Sequence, residues 1–208
     1  LLALAEYWRW WVVHLWVEGF FEVFATVTLA FILSHIGAVS RRFALITVYL
    51  SITLYLGSGV IGTFHHLYWS GSPMPVIALG AVFSALEIVP LTILGFEAAG
   101  NMRIVAKSGE KHPYRWPLYF FISVAFWNLV GAGVFGFLIN PPIVLYYAQG
   151  INTTPIHSHT ALFGVYGLLA IALMLFSVRH IVARASWSDS LLKWSFWGFN
   201  GGLAAMTV

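Results

Sequence analysis

The sequence predicts an all-α polytopic membrane protein, a transmembrane helix bundle of about six spans. Three observations predict it. The chain is 60% hydrophobic and only 8% charged, whereas soluble domains carry roughly 25% charged residues. Apolar runs of roughly 20 residues or more recur along the whole length, each long enough to cross a hydrocarbon core ~30 Å thick. No stretch is long and polar enough to form a separate soluble domain, so residues 1–208 read as a single integral membrane domain in the lipid bilayer.

Taken in order, the first span is expected over Tyr7–Val39 and the second over Phe43–Trp69. The turn signal "SGSPMP" separates the second from a third over Pro75–Ala106, and Pro75 suits a first helical turn. The fourth covers Leu118–Ile139 and stops at "NPP". "NTTP" offers Asn152, Thr153 or Thr154 as the cap of a fifth span over Ile156–Val182. A sixth starts near Leu191 and is cut off at Val208. The chain opens on Leu1 and stops inside an apolar segment, so it is expected to be a fragment that lacks earlier and later helices. No signal peptide is visible.

The charges orient these spans. The end where the first span starts carries only Arg9 of the ten basic residues. The opposite end carries the other nine: Arg41, Arg42, Arg103, Lys107, Lys111, Arg115, Arg179, Arg184 and Lys193. By the positive-inside rule the nine-residue end is cytoplasmic. The poorly charged end then faces outward, which in a bacterium is the periplasm. The sequence pI of about 9.3 is therefore a topology signal and not a nucleic-acid footprint. No cysteine is present, which excludes disulfides, iron–sulfur clusters and thiolate zinc sites.

Of eight histidines, His35, His112 and His180 fall near the cytoplasmic end and read as interfacial polar residues. The other five, His14, His65, His66, His157 and His159, fall in the outward half on three different spans. Imidazole is the commonest metal ligand, and ionisable groups inside a membrane are costly and functional. Five at one depth point to a metal or haem centre.

The spacing refines this. His14 and Glu18 in "HLWVEGFFE" are four apart and share a helix face, which Glu22 continues. Two unpaired carboxylates on one apolar face carry a severe desolvation cost, which a cation beside Glu18 relieves. His65 and His66 close the second span, where both can turn toward one ion. His14, Glu18, His65 and His66 thus make a candidate metal site. Mixed imidazole and carboxylate donors suit non-haem iron better than copper(I), and zinc fits the donors but not a redox role. His157 and His159 differ by two positions, about 200° on a helix. They cannot share an ion but can serve two cofactors flanking one helix, and histidine is a standard haem ligand. The alternative is one ligand and one hydrogen-bonding histidine.

The stretches "WWVVHLWVEGFFEVFA", "GTFHHLYWSG", "SALEIVPL" and "NTTPIHSHTALFGVYG" resemble the haem–copper oxidase superfamily, and within it the nitric oxide reductase branch. The last stretch is most similar to the quinol-dependent, single-subunit form. The resemblance covers essentially the whole chain and implies part of the haem–copper oxidase subunit I fold. It implies His14, His65, His66 and Glu18 as ligands of a non-haem iron. It implies His157 as the axial ligand of high-spin haem b3, and His159 as one axial ligand of low-spin haem b. Glu22 and Glu87 match acidic residues that support proton supply or site electrostatics. In the main oxygen-reducing oxidases the position four after the first histidine is a tyrosine, whereas here it is Glu18. The second axial ligand of the low-spin haem lies, in the family, on an earlier helix absent from this chain.

The function this implies is reduction of two NO to N2O, with quinol as the electron donor. Two readings compete with it. One is a copper-containing terminal oxidase that reduces O2. The other is a haem-bearing membrane subunit that only passes electrons, which leaves His14, Glu18, His65 and His66 idle. A proton-coupled transporter is a distant third and does not account for five histidines at one depth.

Overall fold

The computed structural model describes residues 1–109, 112–182 and 187–208, and no strand forms among them. Among the described residues five helices are long and apolar enough to cross a membrane: α1 (Leu2–His35), α2 (Arg41–His66), α3 (Met74–Lys107), α4 (Arg115–Ile139) and α6 (Thr153–Ile181). A short helix, α5 (Pro142–Ala148), links α4 to α6. A final helix, α7 (Asp189–Met206), follows. With Asp189, Lys193 and Asn200 along it, α7 is more polar than the other five, so the sixth expected span is present as a helix but without their apolarity.

The expected boundaries hold to within a few residues, with instructive exceptions. α1 begins at Leu2, five residues before Tyr7, because "LALAEYWRWW" contains no helix breaker. α2 stops at His66 and not at Trp69, since the tight 3-10 turn Thr63–His66 ends it. Asn152 does precede α6, but it makes no side-chain cap bond. Thr153 Oγ1 instead donates to Ala148 O at 3.1 Å, tying α6 back to α5. Of the nine cations gathered at one end of the spans, Lys111 and Arg184 lie outside the described residues.

The core forms where α1, α3, α4 and α6 meet. Leu29 and Leu33, Leu91 and Leu94, Phe120 and Phe121, and Leu168 are sealed from solvent there. Small residues let the helices close: a Cβ on Gly95 of α3 would overlap Ala125 of α4, the close approach that membrane helices use. α7 lies along α4 in the same direction. Trp116 Nε1 donates to Asp189 and Trp127 Nε1 to Asn200, each at 2.8 Å, and both pairs have the same separation in sequence. Large side chains such as Phe31, Leu56 and Phe96 point outward, as a surface facing lipid allows.

Two departures from regular helix shape the interior. α3 is broken at Glu87–Ile88, just ahead of Pro90, whose ring excludes the preceding turn's hydrogen bond. Widened π-helical turns occur at His14–Phe20, Tyr55–Gly59, Asn128–Phe135 and Leu162–Gly167. Such turns concentrate at functional sites because they re-aim side chains without ending a helix.

Candidate metal centre

The π-helical turn of α1 begins at His14, and the 3-10 turn ending α2 carries His65 and His66. Both irregular turns face one another. They bring His14, Glu18, His65 and His66 together so that one donor atom from each lies within 4.8 Å of the others. His14 Nδ1 is 2.7 Å from Glu18 Oε2, His66 Nε2 is 3.2 Å from Glu18 Oε1, and His65 Nε2 is 3.6 Å from Glu18 Oε2. His14 is 0% and His65 5% exposed, so these are imidazoles taken fully out of solvent.

Several atoms in this cluster lack the partners that burial demands. His65 Nε2 and His66 Nε2 are buried without a hydrogen bond, although buried polar atoms are normally satisfied. Both face the Glu18 carboxylate. Three imidazole nitrogens converging on one carboxylate are the donor set of a divalent transition metal, and the residues therefore fit such an ion. Trp10 stacks flat on His66, with ring centroids 4.3 Å apart and an interplanar angle of 2°, which fixes that ring without a hydrogen bond.

Glu87 arrives from the other side. Its Oε1 lies 3.4 Å from His14 Nε2, and neither atom has a hydrogen bond, so a carboxylate stands just behind the imidazole whose Nδ1 meets Glu18. A histidine that binds metal through one nitrogen commonly gives its other N–H to such a carboxylate. Gly59 and Gly62 make room for this arrangement: a Cβ on Gly62 would come within 2.6 Å of His14 Nε2 and 3.2 Å of Glu87 Oε1. Glu22 is also buried, with Oε1 unpartnered. Glu18, Glu22 and Glu87 line one small cavity of about 80 Å³, which Tyr166 and His157 also border.

His157 faces the cluster across a second cavity of about 300 Å³ that Glu18, His65 and His66 border. Its Nδ1 is 2.7 Å from Gly131 O. A carbonyl only accepts, so Nδ1 is the donor and Nε2 is the nitrogen left to meet a haem, the orientation an axial ligand needs. The ring lies over Gly136, where a Cβ would approach to 2.9 Å. His159 leaves α6 on another face. It lines a separate groove of about 430 Å³ with Phe163 and, on α7, Gly198, Phe199, Gly202 and Leu203. Nothing lies within 4 Å of a Cβ built on Gly198 or Gly202, so the α7 side of this groove is open.

The expected site residues thus divide into three groups. His14, Glu18, His65 and His66 form one cluster, with Glu22 and Glu87 beside it. His157 opposes the cluster, and His159 faces away. Sequence reading missed Trp10, which no spacing rule marks as a stacking partner, and the contact of Glu87 with His14. It also missed Asn128, although a lone amide within "WNLVGAGVF" was a visible signal.

The comparison with known proteins joins this geometry to a family. The family described as cytochrome C and quinol oxidase polypeptide I matches residues 2–208. The chain belongs to that family. Cytochrome c and quinol oxidase polypeptides are haem-binding membrane subunits, in keeping with the helices and histidines described above. The chain is also 31% identical over 211 residues to the B subunit of nitric oxide reductase from Stutzerimonas stutzeri, covering 100% of this chain and 44% of that protein. It therefore spans under half the length of this curated relative. The resemblance read from the four motifs agrees with both findings.

Proposed function

We propose that the protein is a nitric oxide reductase that joins two NO molecules: 2NO + 2e⁻ + 2H⁺ → N2O + H2O. The observation that carries this reading is Glu18 set among three histidine nitrogens, because a carboxylate in that position selects iron over copper(I). His14, Glu18, His65 and His66 would hold the non-haem iron, His157 the high-spin haem b3, and His159 one face of the low-spin haem b. When bound, the two irons supply Lewis acidity and electrons to two NO molecules held side by side.

The chain's own residues have distinct tasks in this reading. Glu18 lowers the net charge of the metal site and faces the cavity shared with His157. Glu87, its Oε1 3.4 Å from His14 Nε2, stands behind that ring and would take its N–H on a small closure of the gap. Glu22 and Glu87 hold protons at carboxyl oxygens beside the cavity, ready for the oxygen that leaves as water. α6 carries His157 and His159 two residues apart and forms a short covalent path between the haem sites. Quinol is the proposed donor, on the resemblance to the quinol-dependent form. The positive-inside charge pattern supports a bacterial inner membrane, with the metal site in the periplasmic half.

A second reading is favoured by the family description itself, which names oxidases: a terminal oxidase reducing O2 with copper at the His14, His65 and His66 site. Elemental analysis of the intact purified protein separates the two. Non-haem iron at about one per two haems, no copper, and NO consumption yielding N2O are expected. Copper in that ratio, with O2 uptake, would move the assignment to the oxidase. No metal beyond haem iron would leave an electron carrier.

A further inference from the structure

Asn128 is wholly buried at the start of the π-helical turn of α4, about midway along that membrane-spanning helix. An amide in that place is costly unless both of its ends are used. One end is used in an informative way: Nδ2 donates to Ile88 O at 3.1 Å. Ile88 belongs to the broken turn of α3, the turn that carries Glu87 and that Pro90 prevents from continuing as regular helix. The broken turn keeps two local bonds, Glu87 N to Ser84 O at 3.1 Å and Thr92 N to Ile88 O at 3.2 Å, but it interrupts the regular helical ladder, so a tie from another helix helps to set its position. Asn128 supplies that tie from α4, and Ile88 further seats its side chain on Gly133 of the same π-helical turn.

The same turn of α4 reaches the opposing ligand. Gly131, three residues after Asn128, accepts from His157 Nδ1. One turn of one helix therefore references both sides of the cavity: Ile88 and its neighbour Glu87 through Asn128, and His157 through Gly131. Oδ1 of Asn128 is buried with no partner. A group needed only to fill space would carry no such unpaired oxygen, since a leucine fills the same volume without it.

We infer that Asn128 is a positioning residue that sets the Glu87 carboxyl against His14 and in register with His157, by holding the broken turn of α3 at Ile88. The inference rests on the proposed place of Glu87 behind a metal-binding His14. It makes Asn128 neither a ligand nor a proton carrier.

The test uses the full protein with its haems and metal, as wild type, Asn128→Leu, Asn128→Asp and Asn128→Ala, with Glu87→Gln as reference. Haem and metal content, kcat and KM for NO, and the infrared carboxyl or carboxylate bands that Glu87→Gln removes are measured. With Asn128→Leu, which keeps the volume and loses the tie, haem and metal content should stay at the wild-type level. The Glu87 bands should shift and kcat should fall about tenfold or more with KM unchanged. Asn128→Asp keeps the shape but loses the Nδ2 donor, and should show the same band shift. Wild-type bands and kcat in Asn128→Leu would overturn the inference, leaving a packing role. Loss of haem and metal together in Asn128→Leu would also overturn it, in favour of a folding role. Should wild type fail to consume NO, the proposed function falls, while the Glu87 bands still decide the role of Asn128.

Discussion

At the residue scale, the centre turns on Glu18. Its side chain is 35% exposed, toward the cavity, while His14 behind it is sealed. Removing the carboxylate leaves three imidazoles and an ion with one ligand fewer. Glu18→Ala should therefore lose non-haem iron and reduce NO turnover by at least about a hundredfold. Haem should remain, because His157 is held independently by Gly131. NO electrode traces, iron analysis and the haem absorption spectrum read these separately, and full turnover in the variant would end the ligand assignment. Trp10 allows a subtler change. It touches His66 only by stacking, so Trp10→Ala frees the ring to rotate and should weaken iron retention about tenfold on dialysis against a chelator. Trp10→Phe should recover most of the loss. These residues were unequally legible. His14, Glu18, His65 and His66 announce themselves because ionisable groups stand out in an apolar run. Trp10 does not, since ten tryptophans in this chain are equally suited to a membrane interface.

At the element scale, helices were readable and their irregularities were not. Hydropathy alone marks where apolar runs start and stop, and α2, α3 and α4 begin within three residues of the expected positions. The π-helical turns depend on tertiary contacts instead: Gly19 in one of them lies against the Tyr55 ring that opens another. The break in α3 had a signal in Pro90, but its partner Asn128 is forty residues away. Close approach of elements is likewise invisible until the chain is folded. Gly80 of α3 sits directly on the turn that presents the histidines, and a Cβ there would come within 2.8 Å of Phe64 C, a backbone atom that cannot move aside. Gly80→Ala should push α3 from that turn and cost about 1–3 kcal/mol. The expected outcome is a lower denaturation temperature in detergent together with partial loss of iron. Gly100→Ala, on the same helix with open space at its Cβ, should change neither.

At the scale of the whole molecule, the sidedness of the centre follows from charge and can be tested without any cofactor. Arg41, Arg42, Arg103, Lys107, Arg115, Arg179 and Lys193 gather at one end of the bundle, while the His65–His66 turn and the start of α6 lie at the other. An excess of cations near the span ends resists translocation, so the histidine end should face outward. The 208 residues contain no cysteine, and single cysteines therefore report cleanly on access. Asn152, exposed at the start of α6, marks the histidine end, and Ser108, exposed just after α3, marks the cationic end. In whole cells a membrane-impermeant maleimide should label Asn152→Cys and leave Ser108→Cys unmodified until the membrane is opened. The reverse pattern would place the metal cluster in the cytoplasmic half. Protons for the buried Glu22 and Glu87 would then have a shorter route from the cytoplasm than from outside, and the link between charge pattern and site placement would fail at its first step.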